Sequence, residues 1–68
     1  MTTGIVKFFN TMRGFGFISP DDGSKDAFVH ISAVEQANLR YITEGDRLNY
    51  EVQQDARGPK AVNLQSAQ

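Results

Sequence analysis

Hydrophobic residues fall in short bursts, and within the bursts they alternate with polar ones. Arg47 to Gln54 (RLNYEVQQ) sets Leu48, Tyr50 and Val52 against Asn49, Glu51 and Gln53, and Lys60 to Gln65 (KAVNLQ) sets Val62 and Leu64 against Ala61 and Asn63. A period of two is the mark of a strand with one face on a core, here predicted to hold Leu48, Tyr50, Val52, Val62 and Leu64. Gly4 to Asn10, Gly14 to Ser19 and Asp26 to Ile31 are runs of similar length. Between the runs, Pro20-Asp21-Asp22-Gly23, Glu44-Gly45-Asp46 and Ala56-Arg57-Gly58-Pro59 carry the residues that turns require. The pattern predicts five strands. Pro20 and Pro59 fall at strand ends, where a missing backbone donor is tolerated. Ser32 and Glu35 have the spacing of a capping box, which predicts a turn or two of helix from Ser32 through Asn38.

Short strands without a long helix make an all-β fold. A small sheet protects its edges by closing, and a five-stranded antiparallel OB-fold barrel with a short helical turn after strand 3 is one solution. On pattern alone, a small SH3-like barrel fits equally well.

Two of the runs divide unusually. In RGFGFIS, Arg13, Phe15, Phe17 and Ser19 share one face, while Gly16 and Ile18 share the other. In DAFVHI, Asp26, Phe28 and His30 oppose Ala27, Val29 and Ile31. Ala, Val and Ile suit a core, whereas an unpaired Asp or Arg inside one costs several kcal/mol, so the polar sets must face water. Three phenylalanines go with them. Leaving each exposed forgoes roughly 1.5 to 3 kcal/mol, a large share of the stability of a small domain. An exposed aromatic face with cations at its edge suits unpaired bases, which stack on rings while Lys and Arg meet phosphates. The alternative is that a second copy of the chain, or another protein, covers these rings. Gly16, between two rings, either lets the strand coil sharply or admits another backbone.

Length and composition narrow the picture. With 68 residues there is room for a single domain, 1–68, near the size at which domains become marginal. Absence of cysteine and a single histidine exclude a disulfide framework and a closed zinc site, so no metal and no cofactor is expected. Hydrophobic residues at 40% and charged residues at 22% are ordinary globular composition. No apolar run is long enough for a bilayer and MTTGIVKFFN lacks signal-peptide character, so no membrane association and a cytoplasmic location are expected. The net charge of −1 argues globally against an electrostatic nucleic-acid binder. Locally, however, Lys7 and Arg13 stand in a first segment free of acids, Arg57 and Lys60 outnumber Asp55 near the end, and the excess acid lies between.

Enzymatic readings fail on spacing. Asp26, His30 and Ser32 supply the letters of a triad, but all lie on one strand and its end, with no sign of a pocket or oxyanion site. Gly14-x-Gly16 is followed by Ser19 where a dinucleotide fingerprint has its third glycine, and no βαβ unit fits. No catalytic residue is expected.

These residues resemble the bacterial cold-shock proteins, whose single domain is a five-stranded OB-type barrel. GFGFI at 14 to 18 looks like the first RNP-type motif of that family and AFVH at 27 to 30 like the second. GIVKFFN at 4 to 10, PDDGSKD at 20 to 26, SAV at 32 to 34, EGD at 44 to 46 and RGPKAVN at 57 to 63 also match. The resemblance implies binding of single-stranded RNA and DNA with little sequence discrimination, and RNA chaperoning without ATP. It implies a site of Lys7, Phe8, Asn10, Arg13, Phe15, Phe17, Asp26, Phe28, His30 and Arg57, with Phe9, Ile31 and Lys60 as neighbours. Asp26 then either accepts a hydrogen bond from a base edge or pairs with Lys25 or Lys7. A monomer is expected, with dimerisation through the aromatic face as the alternative. Phe8 stands where most relatives have tryptophan, Ile31 and Leu39 where many have aromatics, and Ala27 where a larger aliphatic is usual. Fewer rings predict weaker binding or a shorter site, since stacking is worth about 1 to 3 kcal/mol per base.

Overall fold

The computed structural model describes residues 1–67. Five strands, β1 (Thr2–Asn10), β2 (Phe15–Pro20), β3 (Ala27–His30), β4 (Arg47–Asp55) and β5 (Gly58–Ser66), close into a barrel in the order β1-β2-β3-β5-β4, with α1 (Ile31–Gln36) following β3. The OB-type expectation holds, with strand ends displaced by a few residues. All pairings are antiparallel except the closure between β3 and β5, where Phe28 lies beside Lys60 in parallel register.

The core is aliphatic with one tyrosine. Val6, Ile18, Ala27, Val29, Val34, Leu48, Tyr50, Ala61 and Leu64 are buried, and Phe9, Ala37 and Leu39 pack against them. The β2–β3 hairpin follows the expected parity, with Gly16 opposite Val29 and Ile18 opposite Ala27 on the inside.

Parity fails where a strand takes in an extra residue. Val6 pairs with Ile18 and Phe8 with Phe17, so Lys7 has no counterpart on β2. Adjacent positions 17 and 18 face opposite ways, so their partners must too: Val6 is buried and Phe8 is 42% exposed, although the two are separated by one residue. A second bulge sits on β5. Asn49 pairs with Gln65 and Glu51 with Val62, which leaves Tyr50 facing both Asn63 and Leu64, and Asn63 adopts φ 53°. Asparagine tolerates this left-handed conformation better than most residues. The bulge puts both Ala61 and Leu64 inside, and Val62, expected in the core, is only half-buried.

Two other core expectations are corrected. Val52 has inward parity but is 41% exposed, because the distal part of the β4–β5 hairpin runs past the end of the core. Ile31, assigned to the inner face of the third strand, instead opens α1 and packs over Gly14.

The cap of helix α1 lies two residues earlier than the Ser32 that the capping box predicts. It is His30, in extended conformation (φ −99°, ψ 152°), whose ring accepts the N–H of Ser32. Ser32 lies inside the first turn because the ring already satisfies the donor that defines the start. The helix ends at Gln36, short of Asn38. Asn38 adopts φ 61°, its N–H bonds to Glu35 O, and Leu39 N–H bonds to Val34 O, the pair of hydrogen bonds of a Schellman motif.

Candidate nucleic-acid interface

The outward side chains of β1, β2 and β3 meet in one aromatic surface. Phe17 sits opposite Phe28, and Phe15 opposite His30, across the β2–β3 hairpin. Ring centroids are 5.8 Å apart for Phe17 and Phe28, 5.8 Å for Phe15 and Phe28, 6.4 Å for Phe15 and Phe17, and 6.5 Å for Phe28 and His30. Phe8 joins from β1, 5.6 Å from Phe17 and 6.2 Å from Phe15, by virtue of the Lys7 bulge. Mostly edge-to-face contacts leave Phe15, Phe17 and Phe28 half-buried, so their exposure costs less than full solvation would.

Gly16 makes this packing possible. A Cβ there would meet the Phe8 carbonyl oxygen and approach Phe9 Cδ2 at 2.7 Å and Phe9 Cα at 2.8 Å. Close approach of another backbone is therefore the reason for glycine between the two rings.

Two open clefts flank Phe17 and Phe28. One, about 490 Å³, is lined by Lys7, Phe8, Lys25, Asp26, Arg57 and Pro59 besides these two rings. The other, about 530 Å³, continues past His30 and Ser32 to Asp55, Arg57, Pro59 and Lys60. Arg57 and Pro59, at the turn of the β4–β5 hairpin, border both. Asp26 Oδ2 accepts from Lys7 Nζ at 3.1 Å, so of the two lysines considered it is Lys7 that pairs with the acid.

His30 Nδ1 accepts from Ser32 N–H at 3.1 Å and lies 3.0 Å from Ser32 Oγ, so the neutral ring carries its proton on Nε2. Asn10, the last residue of β1, and Arg13, in the turn that follows it, line neither cleft. Asn10 Oδ1 accepts the N–H groups of Met12 and Arg13, each at 3.0 Å, and so shapes the turn that precedes Phe15. Among the suggested neighbours, Lys60 lines the second cleft, whereas Phe9 turns inward against the core.

Sequence reasoning did not place Lys25, Ser32, Asp55 or Pro59 at the site. They lie in loops or at element ends, where strand parity says nothing. Lys25 is positioned by a turn in which Asp22 Oδ1 accepts from Ser24 N–H at 2.9 Å and from Ser24 Oγ at 2.5 Å. The Ser24 hydroxyl and N–H hold the Asp22 carboxyl below the usual carboxylate range.

A closed five-stranded barrel bearing a cluster of aromatic rings and cations on its outer face defines an OB-type domain of the kind suited to unpaired nucleic acid. The 'Cold-shock' DNA-binding domain matches residues 2–67, and the chain belongs to that family. A probable cold shock protein of Sinorhizobium fredii, y4cH, is 56% identical over 68 residues, covering 97% of this chain and 99% of that protein. The cold shock-like protein CspB of Escherichia coli is 52% identical over 62 residues, covering 91% of this chain and 87% of that protein. The cold shock protein CspA of Rhizobium meliloti is 49% identical over 69 residues, covering 98% of this chain and the whole of that protein.

Proposed function

We propose that the protein binds single-stranded RNA and DNA with low sequence discrimination through this aromatic face and acts in the cytoplasm as an ATP-independent RNA chaperone or regulator of gene expression in cold or stress. Bases stack on Phe8, Phe15, Phe17, Phe28 and His30, while Lys7, Arg13, Arg57 and Lys60 meet phosphates. The observation that carries this reading is the contiguous ring network on the outside of a barrel whose core is already filled by aliphatic residues and Tyr50. A ligand that prefers unpaired strand shifts a hairpin toward its open form by mass action, without fuel. With so few cations the salt slope is shallow, about 0.7 per neutralised phosphate on single strands.

The test is titration of a labelled pyrimidine oligonucleotide with mass measured in solution. The wild type should form a complex from a monomer, and the triple variant Phe15→Ala, Phe17→Ala, Phe28→Ala should lose binding while keeping its strand circular dichroism. Unchanged affinity in the folded triple variant overturns the reading. A doubled mass without ligand favours a homodimer that buries the rings.

A further inference from the structure

The inner face of β4 continues beyond the core. Leu48 and Tyr50 are buried, and Val52 and Gln54 follow them on the same face of the strand, with Val52 41% exposed. Both border a third open cleft, about 390 Å³, whose other walls include Thr2 at the start of β1, the turn that carries Ser24 and Lys25, and Pro59. Lys25 and Pro59 also line the first cleft beside Phe17 and Phe28, and Pro59 lines the second as well, so the three clefts adjoin. Val52 is thus an apolar side chain that the core leaves uncovered, at a cleft continuous with the aromatic face.

We propose that this third cleft takes one further nucleotide of the strand that lies on the rings. The inference rests on the stacking reading above and deepens it by extending the strand's path off the aromatic face. Continuity between the clefts is what commits the occupant. The lining carries one cation, Lys25, and one acid, Asp22, and is otherwise uncharged, so its interior suits a base rather than a phosphate. Asp22 Oδ1 is engaged by the N–H and hydroxyl of Ser24. Lys25 borders both this cleft and the first, and it forms no ion pair among the described residues, which leaves it for the phosphate that joins the two nucleotides. Within the cleft the base lies against Val52 and Pro59. The Gln54 amide, without a hydrogen-bond partner among the described residues, has both donors and an acceptor for the base edge. A group of both kinds can meet any base, so the added subsite lengthens the footprint without making it selective.

The experiment titrates pyrimidine oligonucleotides of about 3 to 10 nucleotides, the lower range of OB-fold site sizes, into the wild type and the double variant Val52→Ser, Gln54→Ala. The shortest should bind both proteins equally, because the rings alone hold them, and that equality also reports an intact fold. Once the strand is long enough to reach the third cleft, the wild type should bind about threefold more tightly than the variant, less than an aromatic stack supplies. The number of binding registers grows with length for both proteins alike, so their ratio isolates the cleft. Backbone amide resonances of Val52 and Gln54 in the wild type should move with long oligonucleotides and stay in place with short ones, while those of Phe17 and Phe28 move with both. Equal affinities at every length, or unmoved Val52 and Gln54 resonances, overturn the subsite and leave the stacking reading standing. Absence of binding at every length overturns the stacking reading and this inference with it.

Discussion

His30 Nδ1 accepts the backbone N–H of Ser32 at 3.1 Å, and the same ring stands 6.5 Å from Phe28. One side chain thus caps α1 and closes the end of the aromatic surface. His30→Ala should lose both roles, with roughly 0.5 to 2 kcal/mol of stability lost with the cap. His30→Asn restores an N-cap acceptor without a ring. Denaturant melts should show recovery of stability in His30→Asn, and oligonucleotide titration should show affinity remaining as low as in His30→Ala.

The pair of Lys7 and Asp26 is solvated, with side chains 63% and 35% exposed, and contributes at most about 1 kcal/mol to folding. Its effect is on binding, because Asp26 occupies a cation on a face that meets phosphates. Asp26→Asn should leave the melting midpoint nearly unchanged, raise affinity for an oligonucleotide at low salt, and steepen the salt slope by up to about 0.7. Titrations over a salt series check this. Weaker binding with an unchanged slope would instead assign Asp26 a hydrogen bond to a base.

Gly16→Ala forces a methyl group against the Phe8 carbonyl and within 2.8 Å of Phe9 Cα. The obstacle is backbone of the neighbouring strand, so rotamer changes cannot relieve it. A loss of about 1 to 3 kcal/mol in urea unfolding is expected, at the upper end of that range. Binding should weaken as well, since β1 can move away only by carrying Phe8 with it.

Tyr50 is fully buried, and its hydroxyl has no hydrogen-bond partner among the described residues. Burial, with smaller contributions from Asp22, Asp21 and Asp26, pushes its pKa up from 10.0 to about 12. Above pH 10 the unfolded chain therefore releases this proton while the folded chain retains it. The corresponding stability is fully present below pH 10 and is lost as pH rises toward 12. Tyr50→Phe should match or exceed wild-type stability at neutral pH by up to about 1 kcal/mol and flatten the alkaline loss. Thermal melts from neutral to alkaline pH test both. In a Tyr41→Phe background, tyrosinate absorbance reports Tyr50 alone.

Much of the site could be read from the chain because it lies on the β2–β3 hairpin, where alternation is unbroken. Gly16, Ile18, Ala27 and Val29 allow one inside, and that choice turns Phe15, Phe17, Phe28 and His30 outward. Phe8 was implied by resemblance alone. Its outward position depends on the extra residue at Lys7, and a bulge is a property of two strands in register. The same applies to Ala61, Val62 and Leu64, whose faces are set by the left-handed backbone of Asn63.

The sequence by itself determined the all-β class, the short helix after the third strand and the direction of three phenylalanines, since each follows from side-chain chemistry repeating along a single segment. Tertiary structure decided where parity breaks, which residue caps the helix, which lysine Asp26 engages, and that Asp55, Arg57 and Lys60 share a cleft with Phe28. Those outcomes depend on the approach of segments far apart in the chain, and local alternation carries no information about that distance.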